Sequence, residues 1–206
     1  ASGRIRRVAS VSPQHEQLAP LRVEPRTWTN RHGNKATGYI IWPRGYAEGR
    51  RYPAIVITHG TDTDQRFVNR ENQWEYPAQL FAERGYMVLL INEPSAHENA
   101  EIWAARLAWR NETKAVAPET MRQLIWLNGV ASYEDAVMEL VGAGVVDPAR
   151  VGIAGYSRGS QMVNVTITNS TLFRAVSSGD GGYLEPAFYP DVPGSYDAVF
   201  SGAPTD

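Results

Sequence analysis

Short apolar runs alternate with a helical pattern in the first half of the chain. The runs at residues 54–58 and 86–91 are short and rich in aliphatic residues, which is typical of strands buried on both faces. Between them, residues 73–84 place Trp74, Phe81 and other apolar side chains on one helical face, and Gly85 predicts the end of that helix. A strand, a helix and a strand in succession predict a parallel sheet of the α/β class.

The pattern on either side of this unit predicts further strands and helices. Residues 35–42 form an extended run after a turn at 32–34, so the sheet is expected to open with an antiparallel hairpin. Poor periodicity between residues 92 and 127 indicates a long connection with short helices. The capping-box sequence at 132–135 predicts the start of a helix that closes at Gly142 and Gly144. Later elements are expected as a strand from Arg150, a helix over 161–168 and a strand over 175–178.

Composition excludes several classes of protein. Among the 206 residues, 43% are hydrophobic and 20% are charged, as in ordinary globular domains. The formal net charge of -2, without a basic cluster, argues against nucleic acid or a membrane surface as a partner. Cysteine is absent, which removes thiolate catalysis and cysteine metal sites and leaves the compartment open. No cofactor or metal ion is expected.

The motif that carries chemistry is G-x-S-x-G at residues 155–159, between an apolar strand and a helical segment. This context is that of a nucleophile elbow, a tight strand-to-helix turn whose flanking glycines allow the two backbones to pass closely. Ser157 is then the expected catalytic nucleophile, and the N–H of Arg158 can donate to the oxyanion formed in acyl transfer. The alternative is that the glycines make an ordinary turn and that Ser157 only caps the helix.

The loop after the strand at 54–58 is expected to complete the oxyanion hole. Its residues Gly60 and Thr61 stand where hydrolases of this fold carry a second backbone donor, and the N–H of Thr61 is the predicted one. His97, on a later loop, and Tyr156, within the motif, are candidates for lining the substrate site. Asp180 follows Ser157 too soon to be the usual triad acid and is interpreted as part of a plain turn.

The order of the triad in this fold is serine, then an acid, then histidine, but all four histidines precede Ser157. His97 is not assigned as the base. The triad aspartate and histidine are therefore expected beyond Asp206, with the C-terminal part of the catalytic domain missing from this chain.

The motif at 155–159, the His59-Gly60 pair and the run at 146–153 together resemble the prolyl oligopeptidase family of serine peptidases. More narrowly, residues 155–166 and 177–182 resemble the astexin-type lasso peptide isopeptidases. The resemblance implies an α/β-hydrolase fold, a mostly parallel sheet with helices on both faces. It also implies residues 1–26 as the exit from an upstream β-propeller of the same protein and residues 27–206 as the catalytic domain. The compartment stays unknown, with the cytoplasm or the periplasm of a bacterium as the two options.

The resemblance further implies hydrolysis of the isopeptide bond that closes a lasso peptide, with the peptide as the partner. The His-Gly-Thr loop departs from many relatives, which carry a tyrosine there that contributes a hydroxyl to the oxyanion. Two other functions stay open on the sequence alone. One is an esterase of the same fold, which predicts an apolar acyl pocket and no propeller. The other is a catalytically dead binding module that has kept the fold.

Overall fold

The computed structural model describes residues 19–59, 77–95, 99–110, 115–181, 189–190 and 193. Its centre is a six-stranded sheet with the spatial order β1-β2-β4-β3-β5-β6. The strands are Val23–Thr29 (β1), Lys35–Ile41 (β2), Tyr52–Thr58 (β3), Met87–Ile91 (β4), Val146–Tyr156 (β5) and Ala175–Gly179 (β6). The α/β-hydrolase fold class predicted from the sequence is confirmed.

The sheet begins antiparallel and continues parallel. Strands β1 and β2 form the predicted hairpin, and Gly33 occupies its turn with a φ of 77°, which a residue without Cβ adopts at little cost. Strand β2 also pairs antiparallel with β4. The pairs β3–β4, β3–β5 and β5–β6 are all parallel. Strand β1 starts at Val23, inside the segment expected as a connector, so the boundary after residue 26 stays a prediction.

Five α-helices and one π-helical segment are described alongside the sheet. The helices are Ala78–Glu83 (α1), Ala100–Arg110 (α2), Pro118–Met121 (α3), Asn128–Gly142 (α4) and Arg158–Asn169 (α5), and the π-helical segment is Arg122–Leu127. Among the residues that the structure describes, no helix is long and apolar enough to span a bilayer.

The predicted start of the helix at the capping box is wrong, whereas its predicted end at Gly142 is confirmed. The backbone is helical at both junctions of the π-helical segment, so one helical rod runs from Pro118 to Gly142. Ser132 lies within this rod and donates its hydroxyl to the carbonyl of Asn128, 3.1 Å away. Asp135 accepts a hydrogen bond from the backbone N–H of Arg31 in the hairpin turn instead of capping a helix start. Tertiary contacts therefore overrode a local signal.

The two faces of the sheet pack against different helices. One face supports the larger core, in which residues such as Val56, Leu89 and Ile153 lie against the long rod and α5. The opposite face carries a smaller cluster that includes Ile57 and Leu90 and is covered by α1. Since β3, β4, β5 and β6 are parallel, their carboxyl ends meet at one edge of the sheet, where α/β folds bind ligands.

Candidate active site

Ser157 lies at the turn between β5 and α5, at this carboxyl edge. Its φ is 55° and its ψ is −121°, a backbone conformation that costs an L-residue about 1–3 kcal/mol. Among the described residues, only one other non-glycine residue, Asp180, has a positive φ. The strained strand-to-helix turn is the one predicted from the motif.

Glycines are required on both sides of Ser157. A Cβ built on Gly155 would lie 2.3 Å from the carbonyl oxygen of Gly159, and one built on Gly159 would lie 2.1 Å from the carbonyl oxygen of Thr58. Both distances are far inside van der Waals contact with backbone atoms, which cannot rotate away as side chains do. The motif glycines therefore allow α5 to lie directly against the ends of β5 and β3.

The backbone of Ser157 is held from two directions. Its N–H donates to the carbonyl of Gly179 at 2.8 Å, and its own carbonyl accepts from the N–H of Ser160 at 3.0 Å and from the Ser160 hydroxyl at 2.7 Å. The Ser157 side chain is partly exposed and makes no capping hydrogen bond to α5. Ser157 therefore stands at the N-cap position of α5 without stabilising the helix as an ordinary serine cap does.

Arg158 is the first residue of α5, where helix geometry leaves the backbone N–H without a helical acceptor. Its side chain turns inward and is only 15% exposed. The guanidinium donates to Glu93 at 2.6 Å and to Gln161 at 3.0 Å, and it stacks 3.7 Å from the ring centroid of Trp126. Burial lowers the pKa of Arg158 from its ordinary value, and the charge of Glu93 opposes that shift.

Glu93 is a buried carboxylate that the sequence analysis did not single out. It follows β4 by two residues, its side chain is fully buried, and its second oxygen accepts from Arg106 of α2 at 2.7 Å. Tyr133 lies nearby, and burial, with the charge of Glu93, raises the pKa of this tyrosine above its ordinary value. The sequence did carry a signal for Glu93: this glutamate comes just after a fully apolar strand, at the carboxyl edge of a parallel sheet.

The other predicted site residues have different outcomes. Gly60, Thr61 and His97 lie outside the described residues, so their assignments stay predictions. Tyr156 is partly buried and packs against the smaller core cluster, on the α1 face of the sheet. Asp180 lies in a bend just after β6. This bend is close to the elbow: a Cβ built on the next residue, Gly181, would lie 1.9 Å from the Ser160 hydroxyl oxygen.

The described part of the chain contains no group of three or more acidic or histidine side chains that could hold a metal ion. The charged groups at the elbow pair with one another, two arginines with one glutamate.

Comparison with known proteins relates this chain to peptidases. The sequence model of the prolyl oligopeptidase family matches residues 71–190, more than half of the chain. A curated relative is the lasso peptide isopeptidase AtxE2 of Asticcacaulis excentricus, 26% identical over 84% of this chain and 24% of its own length. Another is dipeptidyl-peptidase 5 of Porphyromonas endodontalis, 22% identical over 69% of this chain and 18% of its own length.

Solved structures share the fold. A serine-to-alanine variant of the AtxE2 isopeptidase with Astexin3-dC4 bound matches with a TM-score of 0.65 and 24% identity, over 90% of this chain and 28% of that one. The Pyrococcus horikoshii acylaminoacyl peptidase matches with a TM-score of 0.62 and 19% identity, over 98% of this chain and 30% of that one. The chain thus spans about a quarter of the length of the first of these curated relatives and less than a fifth of the second. On the extent of the family match, this chain belongs to the prolyl oligopeptidase family.

Proposed function

We propose that this chain carries the nucleophile of a serine hydrolase that cleaves a peptide or isopeptide bond through an acyl-enzyme on Ser157. The observation that carries the proposal is the strained φ of 55° at a partly exposed serine, between a strand and a helix N-terminus. Strain of this kind persists only where the surrounding structure enforces it, and it is common at catalytic sites. Family membership supports the same reaction class.

The chemistry follows from the geometry of the turn. The Ser157 oxygen attacks the carbonyl carbon while its proton passes to a general base, and the carbonyl oxygen becomes an oxyanion. The N–H of Arg158, at the positive end of α5, donates to that oxyanion. Collapse of the tetrahedral intermediate expels the amine, which takes up the proton, and water then hydrolyses the acyl-enzyme. The base and its partner acid are proposed to be a histidine and an aspartate beyond Asp206.

A second donor is proposed in the loop after β3. Gly159 approaches the carbonyl oxygen of Thr58 and the Cα of His59 so closely that a Cβ would lie 2.1 and 2.9 Å from them. The loop that begins at His59 therefore starts beside the elbow. Gly60 and Thr61 are the next two residues of the chain, and the N–H of Thr61 is the proposed second donor, as the position of this loop in hydrolases of this fold suggests.

The proposed substrate is a lasso peptide, cut at the isopeptide bond that closes its ring. The relative named a lasso peptide isopeptidase covers 84% of this chain, and a related isopeptidase structure holds an astexin. An upstream β-propeller is proposed to restrict access to peptides. An esterase of the same fold is the second candidate, and a binding module without activity is the third.

The nucleophile is tested by labelling the full-length protein with a fluorophosphonate probe. We expect Ser157→Ala to abolish labelling and to lower turnover about 10³-fold or more, because the acyl-enzyme cannot form. The matched control is Thr168→Ala, which removes an exposed hydroxyl near the C-terminal end of α5 and should label and turn over normally. Normal turnover by Ser157→Ala would exclude the mechanism. Failure of the unmodified protein to label would favour the inactive binding module.

The substrate is tested with a threaded lasso peptide and its unthreaded branched-cyclic isomer. We expect cleavage of the threaded form, with a mass gain of one water and opening of the ring, and poor cleavage of the isomer, because only the threaded peptide has the rigid shape that the site receives. Equal cleavage of both topologies would leave a general peptidase. Hydrolysis of simple esters with no cleavage of either peptide would favour the esterase.

A further inference from the structure

A buried cluster of charges lies behind the proposed nucleophile. Glu93 is its centre, and each of its carboxylate oxygens accepts from a different arginine: Oε1 from Arg158 at 2.6 Å and Oε2 from Arg106 at 2.7 Å. The exposed fractions of the three side chains are 0% for Glu93, 15% for Arg158 and 21% for Arg106. The cluster is thus withdrawn from solvent, unlike the exposed ion pairs elsewhere on the chain.

Aromatic rings fix the position of the Arg158 guanidinium within this cluster. It lies 3.7 Å from the ring centroid of Trp126 and 4.8 Å from that of Trp109, which come from the helical rod and from α2. Gln161, one turn along α5, accepts a further hydrogen bond from the same guanidinium. Cation–π contacts and charge-assisted hydrogen bonds of this kind are strongest where water is excluded.

The cluster joins elements that the sheet alone does not connect. Glu93 follows β4, whereas Arg158 begins α5 after β5, and β3 lies between these two strands. The cluster therefore spans the carboxyl edge of the sheet and ends at Arg158, whose backbone N–H is the proposed oxyanion donor. Burying one carboxylate and two guanidiniums is costly, and such a group is a poor source of stability compared with apolar packing. A role in positioning accounts for its presence.

We propose that Glu93 is a positioning residue for the oxyanion donor: by holding the Arg158 side chain against the end of β4, it fixes where the Arg158 backbone N–H points. This inference rests on the proposed function of Ser157 and deepens it. Glu93 does not touch substrate, and its effect is on the transition state, in which the oxyanion exists. The substrate carbonyl in the ground state gains little from the same N–H.

The test replaces Glu93 by glutamine in the full-length enzyme, which keeps the side-chain size and removes the charge. We expect kcat to fall about tenfold or more with KM within about twofold, since loss of an oxyanion donor costs roughly 10²–10³ in kcat and a displaced donor costs part of that. The affinity for a peptidyl boronate, which forms a tetrahedral adduct on the serine, should fall by the same factor as kcat/KM.

A second variant distinguishes a loss of positioning from a loss of folding. Glu93→Gln leaves two arginines without a carboxylate, whereas the double variant with Arg106→Met retains the single net positive charge of the natural cluster. In both variants Arg158 faces a neutral amide in place of the carboxylate and loses its ion pair. The same loss of kcat is expected in the double variant. The matched control is Glu119→Gln, which removes an exposed partner of Arg122 and should change neither kcat nor boronate affinity.

The outcomes separate this inference from the proposed function. Activity in Glu93→Gln within about twofold of the unmodified enzyme, or a raised KM with unchanged kcat, would overturn the positioning role and leave the nucleophile intact. Turnover by Ser157→Ala would instead overturn the proposed function itself, whatever Glu93 does.

Discussion

Replacing Gly159 by alanine tests how tightly the elbow is packed. The added Cβ would lie 2.1 Å from the Thr58 carbonyl oxygen and 2.9 Å from the His59 Cα, which are backbone atoms of the last residue of β3 and of the buried residue that follows it. Ordinary contact needs about 1 Å more, so either α5 or the end of β3 must move by that amount. Overpacking of this kind costs about 1–3 kcal/mol of unfolding free energy, or more where backbone meets backbone.

The same displacement should impair the chemistry. A shift of about 1 Å between the nucleophile and its oxyanion donors can lower the rate as much as 10²-fold. We therefore expect Gly159→Ala to lose at least 1 kcal/mol of stability in a urea titration and to react with a fluorophosphonate at least tenfold more slowly.

A glycine with free space around its Cα provides the control for this prediction. Gly142, the last residue of α4, has nothing within 4 Å of a built Cβ. Alanine there should leave labelling unchanged and raise stability by up to about 1 kcal/mol, since glycine is the poorer helix former. If Gly159→Ala matches the unmodified protein in both stability and labelling rate, the close approach of α5 to β3 is wrong.

Two further predictions concern buried polar groups. Burial raises the pKa of Tyr133, so above about pH 10 the unfolded chain releases a proton that the folded chain retains, and stability falls with rising pH. Tyr133→Phe should make that fall shallower by about 1.4 kcal/mol per pH unit in urea titrations, and equal slopes would refute the assignment. Asn30 donates to the Asn128 side chain at 2.6 Å and to the Ser132 hydroxyl at 3.0 Å, so Asn30→Ala should cost about 2–4 kcal/mol, whereas exposed Asn169→Ala should cost under about 0.5 kcal/mol. A loss at position 30 no greater than at 169 would contradict the buried hydrogen bonds.

The elbow was predictable because its determinants are local. A strand, a serine between spaced glycines and a helix lie within about twenty residues, and the steric demand of the turn selects those residue types directly. The parallel strands were predictable for the same reason, since burial on both faces leaves short apolar runs such as that of β4. The helical rod was not predictable from the sequence. The capping-box sequence at 132–135 indicates a helix start there, but packing along residues 118–142 outweighs that local signal.

The sequence by itself determined the fold class, the hairpin that opens the sheet and the position of Ser157, since each depends on residues close together in the chain. Only the tertiary structure decided which groups surround the serine. Glu93, Arg106 and Arg158 are separated by 13 to 65 residues, and no periodicity relates them. They meet because parallel strands end at one edge of the sheet and the helices between β4 and β5 fold back over the face that carries the larger core. A buried charge is tolerated only where partners from other elements reach it.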